Sequence, residues 1–162
     1  MARWHGGGAS RWRWMAGRIA MAAAAIGVLV AAGCADSPEQ QSAREDRAAG
    51  IGLFELHMPE RVWERTNFRM GGSEVDEPQS LTPEPEGMSR IELTGAQMVD
   101  YLGALDHNAH GGFGARDPEL ATTVYDIVAG AIDRLQVPPP PGQPTPRIDV
   151  PASVADSIAP TE

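Results

Sequence analysis

Prolines set how much of this chain can fold. Fourteen of them lie in 162 residues, and they gather in two places. Residues 71–89 read GGSEVDEPQSLTPEPEGMS, with three prolines and three glycines. Residues 137–162 read VPPPPGQPTPRIDVPASVADSIAPTE. Proline has no backbone N–H and a fixed φ, so neither stretch runs as a continuous helix or an inner strand. The first is expected to be a loop or disordered linker. The second is expected to be polyproline II followed by a disordered, solvated tail. That leaves about 70 residues for a core, in 51–70 and 90–137, a marginal size for a chain with no disulfide.

Within those pieces the apolar spacing is mainly helical. Thr94-Gly-Ala-Gln97 is a capping box, with Leu93 and Met98 placed as a hydrophobic staple. Met98, Leu102 and Leu105 then form a stripe, with Tyr101 beside it. Asp117 and Pro118 start a second helix, in which Leu120, Val124, Ile127, Val128, Ala131 and Leu135 share one face. Two helices joined by a short connection make an αα-hairpin over about 94–137. Gly103 and Gly130 inside them are read as points of close helix approach. Upstream, Leu53, Phe54, Leu56 and Met58 suggest a short strand or turn, and Pro59 opens a helix over 59–70. Residues 36–50, DSPEQQSAREDRAAG, are nearly free of large apolar side chains and are expected to be a flexible tether. The fold class expected is mostly α: a small helical body over 51–137, containing the acidic loop 71–89 and flanked by tether 34–50 and tail 138–162.

Composition excludes several chemistries. All 13 basic residues are arginine. Without lysine there is no P-loop lysine, no protein-kinase lysine, no Ser-x-x-Lys acyl enzyme and no Schiff base. With one cysteine there is no intrachain disulfide and no cysteine-based zinc cluster. Residues 1–33 hold Arg3, Arg11, Arg13 and Arg18 and no acid, so the remainder carries nine arginines against 22 acids, a net of −13. Such a surface, taken as a whole, repels nucleic acid and anionic lipid.

The N-terminus reads as a targeting signal. Ile19 to Ala32 is an uncharged apolar run of 14 residues. A bilayer-spanning helix needs about 20, so the run fits a signal-peptide core instead. It ends at Leu29-Val-Ala-Ala-Gly-Cys34, where the chain's sole cysteine stands. This segment resembles the lipobox of bacterial lipoproteins, with Ala31 where a larger aliphatic residue is usual. The resemblance implies diacylglycerol on the Cys34 thiol, cleavage after the small residues Ala32 and Gly33, and Cys34 as the first residue of the mature chain. It covers residues 1–34 only. It implies location on a cell membrane, lipid-anchored and extracytoplasmic, with two acyl chains supplying durable attachment.

Catalytic motifs are absent: there is no His-Glu-x-x-His and no Gly-x-Ser-x-Gly, and Gly50-Ile-Gly52 lacks the third glycine of a dinucleotide loop. The body is therefore read as non-enzymatic, without a resident cofactor. One constellation stands out, DHNAHGGFGARD from Asp106 to Asp117. Its simplest reading is a glycine-rich interhelical turn. It also resembles a degraded EF-hand calcium loop. That likeness gives Asp106 and Asn108 the first and third ligand places, Gly111 the turn, Phe113 the apolar eighth place and Asp117 the last. His110 falls where an oxygen ligand belongs, and Asp117 where a glutamate is usual. His107, His110 and Asp106 are an alternative donor set for a transition metal. Arg61, Arg65 and Arg69 recur at every fourth residue and, on a helix, line one face that would dock an anion or acidic partner. The expectation is a membrane-anchored envelope lipoprotein acting as a binding or interaction module toward an envelope protein or cell-wall polymer. The alternative is a lipoprotein that holds a divalent metal or small ligand weakly in the 106–117 loop.

Overall fold

The computed structural model describes residues 36–68 and 75–157. The expected signal peptide 1–33, with Ala32, Gly33 and Cys34, lies outside the described residues, and so does Arg69. In chain order the elements are α1 (Gln41–Ala49), β1 (Leu53–Pro59), α2 (Glu60–Thr66), β2 (Ser80–Glu84), β3 (Met88–Thr94), α3 (Gly95–Ala109), α4 (Pro118–Asp133) and β4 (Arg147–Asp149), followed by a 3-10 turn at Ala152–Ser157.

The expected mostly α class is incorrect: the protein is a mixed α/β fold. Its four strands form one sheet in the order β2-β3-β1-β4, with β1 antiparallel to β3, β3 antiparallel to β2, and β4 parallel to β1. The physical reason lies in two short runs with a period of two. On β3, Ser89, Ile91 and Leu93 are buried while Met88, Arg90, Glu92 and Thr94 are not. On β1, Phe54, Leu56 and Met58 are fully buried. Pro83 is accommodated because β2 is an edge strand. Pro85, Glu86 and Gly87 make the β2–β3 turn, with φ of 63° at Glu86 and 71° at Gly87.

The helices occupy one face of the sheet. Helix α3 packs on β1 and β3, α4 packs on α3 and β4, and α1 lies against both α3 and α4. The core between the layers joins Phe54, Leu56, Ile91 and Leu93 to Met98, Leu102, Leu105, Val124, Val128 and Ile132. Helix α3 starts at the capping box: Gln97 N–H donates to Thr94 Oγ1 at 3.2 Å, and Thr94 N–H donates to Gln97 Oε1 at 2.9 Å. Helix α2 is shorter than the expected 59–70, yet Trp63 packs at a tilt against Tyr101 with centroids 4.9 Å apart, and Thr66 Oγ1 meets the Tyr101 hydroxyl at 2.8 Å. Burial pushes that phenol up from its usual range.

Three segments expected to be loop or disorder belong to the fold. Inside the expected linker 71–89, residues 80–84 form β2 and Met88 opens β3, because an edge strand tolerates Pro83. Residues 41–49 form α1. It is held by Ala48 in the core and by Arg44, whose guanidinium is bidentate on Asp133 at 2.7–3.1 Å and donates to the Tyr125 hydroxyl at 3.0 Å. Tyr125 in turn donates to Gln41 Oε1 at 2.6 Å. The close approach of α1 to α3 falls at Gly95, where a Cβ would collide with the carbonyls of Ala48 and Ile51. In the expected tail, Val150 N–H donates to the His57 carbonyl at 2.7 Å, and Ile148, Val150, Val154 and Ala155 are buried. Gly103, by contrast, has open space where a side chain would go, and Gly130 meets only the end of Arg134 at 3.6 Å, so neither marks a close helix contact. Among the described residues no helix is long and apolar enough to cross a membrane.

Candidate functional site

The helices leave the other face of the sheet open, and that face is densely charged. Strand register puts Thr82, Arg90, His57 and Asp149 in one row across all four strands, and Ser80, Glu92, Glu55 and Arg147 in the next. His57 sits near the centre, 8% exposed. Its Nε2 is 2.8 Å from Glu55 Oε1 and its Nδ1 is 3.1 Å from Glu84 Oε2. A ring protonated on both nitrogens donates to both carboxylates; a neutral ring turns one lone pair toward an oxygen. Glu55 lies directly opposite Glu92, a like-charge pair that disfavours pairing. Arg147, 3.9 Å from Glu55, offsets it. Arg147 also donates to Asp149 at 2.8 Å, which raises its pKa. Beside His57, the buried Nε of Arg90 has no hydrogen-bond partner. The face thus carries fixed charges of both signs, the chemistry of a surface that recognises polar, charge-bearing groups.

The 106–117 constellation is built differently from its sequence reading. Asp106 and Asn108 stand within α3, so the first places of the expected loop are helical. Asp106 is 7% exposed, with Oδ1 2.7 Å from His110 Nδ1 and Oδ2 accepting from Ser37 Oγ at 2.5 Å. Asn108 donates to the carbonyls of Ala104 and Phe68 and accepts from Arg116 N–H. His107 Nε2 lies 3.0 Å from the Phe113 carbonyl. Asp117 has φ of 43° at the start of α4, and its side chain takes Arg65 at 2.8–2.9 Å instead of capping the helix. Asp106 and His110 therefore pair with each other, while Asn108 and Asp117 are each engaged elsewhere. Among the described residues no group of three or more His, Cys, Asp or Glu side chains is set to hold a metal ion.

Ser37, Asp106 and His110 bring the residue types of a hydrolytic triad together in another order. In a triad the serine donates to histidine and the carboxylate holds the second ring nitrogen. Here the serine donates to the carboxylate, and the His110 ring packs edge-on against Tyr125 with centroids 4.9 Å apart.

The arginine set is also divided. Arg65 is paired with Asp117. Arg61 is 3.5 Å from Asp156 and lines a groove of about 600 Å3 between α2, the β2–β3 turn and the 3-10 turn, where Glu60, Glu64 and Glu86 surround it. An anion entering that groove meets more carboxylates than guanidinium.

Sequence reasoning missed the open face because its members are scattered from Glu55 to Asp149 and meet only through strand register. The available signal was alternation: Glu55 and His57 between Phe54, Leu56 and Met58, and Arg90 and Glu92 between Ser89, Ile91 and Leu93. Comparison with protein-family models, curated proteins and solved structures finds no match to this chain.

Proposed function

We propose that this chain is a lipid-anchored extracytoplasmic protein of the bacterial envelope. Its body is a non-enzymatic binding module that offers the open face of its sheet to a polar partner, an envelope protein or cell-wall polymer. The anchor reading rests on the apolar run ending at Leu29-Val-Ala-Ala-Gly-Cys34. The single observation that carries the binding reading is the row Thr82, Arg90, His57 and Asp149, a charged face not covered by the helical layer. A row of mixed charges selects a partner by electrostatic complementarity and disfavours wrong ones by like-charge contact.

Site-specific photo-crosslinking in cells tests the binding reading. A crosslinker at Thr82, exposed on this face, is expected to yield a discrete adduct or retention in the wall fraction, and Arg90→Ala should abolish it. The same crosslinker at Thr123, exposed on α4, should yield neither. Equal yields from the two positions, or an adduct from Thr123 alone, would overturn the assignment of the face.

A further inference from the structure

The start of the described chain is fixed to the α3–α4 connection. Asp36 N–H donates to the His110 carbonyl at 3.1 Å, and Ser37 Oγ donates to buried Asp106. Cys34 is two residues before Asp36, so covalent geometry alone keeps its Cα within about 7 Å of the Asp36 Cα. If Cys34 carries the lipid, no tether separates anchor from body, and the α3–α4 connection is the part of the body brought to the bilayer surface.

That connection exposes an aromatic ring. Phe113, three residues after His110, is 87% exposed, the highest value among the exposed large apolar side chains described. The backbone beneath it is held. Gly112 N–H donates to the His107 carbonyl, Ala115 N–H donates to the Gly112 carbonyl, and a Cβ on Gly112 would collide with the His107 ring. Gly111 and Gly114 take φ of 81° and 76°, conformations that side chains disfavour, and so aim the tip outward. Residues 107–116 contain no acid, in a chain that carries 22. Arg116, exposed beside the tip, lies over the Phe68 ring at 5.2 Å. Asp36 and Asp117 flank the tip, Asp117 being paired with Arg65, and an exposed aromatic ring with an arginine beside it matches the interfacial region of a bilayer, where rings sit at headgroup level and cations meet lipid phosphate.

We propose that the α3–α4 connection is a second membrane contact, with Phe113 seated in the interface of the bilayer that holds the Cys34 lipids. This rests on the lipoprotein reading above and adds an orientation: the α3–α4 end faces the membrane. The far end of α4, a helix of 16 residues and so about 24 Å long, faces away.

The test uses the full chain, purified from membranes and reconstituted into phosphatidylethanolamine–phosphatidylglycerol vesicles with brominated acyl chains. Trp63 is the sole tryptophan after residue 33 and is buried, so it supplies a constant background. The emission added by Phe113→Trp should be blue-shifted on vesicles and lost when the lipids carry bromine. The emission added by Val137→Trp, exposed beyond the far end of α4, should be unaffected by bromine. Vesicle flotation and intact mass are read on the same samples. Protein that floats and carries diacylglycerol, yet shows unquenched Phe113→Trp emission, overturns the second contact and leaves the anchor reading standing; a protein partner or a second copy would then be the occupant of the tip. Equal quenching at both positions overturns the orientation. A protein without diacylglycerol that fails to float overturns both readings.

Discussion

Ile148→Ala tests whether the proline-bearing C-terminal segment is structural. Ile148 is 3% exposed and pairs with fully buried Leu56 in the parallel β1–β4 register. Strand β4 has only three residues, and it is continued by buried Val150, whose N–H reaches the His57 carbonyl. Truncating a buried isoleucine to alanine costs about 2–5 kcal/mol, from lost transfer energy plus the cavity left behind. Against a total stability of order 5–15 kcal/mol that is a large share. With an m-value of about 1–3 kcal/mol/M, the urea midpoint should fall by about 0.7–5 M with m unchanged. The assay is urea unfolding of the mature chain followed through Trp63, whose ring is buried against Tyr101. Asp149→Ala, the exposed neighbour on the opposite face, is the control and should shift stability by no more than about 0.5 kcal/mol. If the two variants have the same midpoint, residues 147–155 are solvated and the packing described for them is wrong.

Glycine substitutions in the helical layer should diverge. Gly103→Ala fills open space in α3 and should stabilise by about 0.5–1 kcal/mol, read as a higher Tm. Gly112→Ala drives a Cβ into the His107 ring and should lower Tm, at a cost of about 1–3 kcal/mol; equal Tm values for the two would contradict the packing. The Arg44 hydrogen bonds hold the Asp133 carboxyl below its ordinary range. That stability is therefore present above the unfolded value and lost as pH falls through the folded one, below 3.8. Because the Asp133 side chain is 40% exposed, screening limits the contribution to about 1 kcal/mol. Asp133→Asn should be less stable than wild type at neutral pH by up to that amount, and the gap should close as wild-type Asp133 is protonated. A gap constant across the acid range in urea titrations would refute the Arg44–Asp133 assignment.

Local chemistry was readable wherever a few consecutive residues decide it. The Thr94–Gln97 capping box, the Met98, Leu102 and Leu105 stripe and the Val124 and Val128 face are satisfied within one helix or between two sequence neighbours. Helix α1 was not readable, because its holding contacts are polar and distant: Arg44 meets Asp133 across 89 residues. Nothing in SAREDRAA announces that partner. Strand β4 was hidden by flanking prolines, although Ile148 and Val150 alternate with Arg147 and Asp149 as a half-buried strand requires. Strand β3 was hidden because Met88 and Ser89 fall in the expected linker 71–89 and Leu93 also fits a staple position before the hairpin. The charged face followed these losses: with a single short strand or turn suggested, at 53–58, and no partner strand assigned, no register brings Glu55, His57, Glu84 and Arg90 together. At the α3–α4 connection the residue types were visible but their state was not. Helix α3 continues through Asn108, turning two expected loop ligands into helical side chains that tie the layer to Ser37, Phe68 and Arg116.

The central claim is that Cys34 is a lipid attachment point directly beside the folded body. Intact-mass and N-terminal peptide mass spectrometry of native protein extracted from membranes measures this in one experiment. The account predicts a mature chain beginning at Cys34, with a diacylglyceryl group on its thiol. A membrane-extracted chain that retains residues 1–33, or one that carries a free Cys34 thiol, would contradict it.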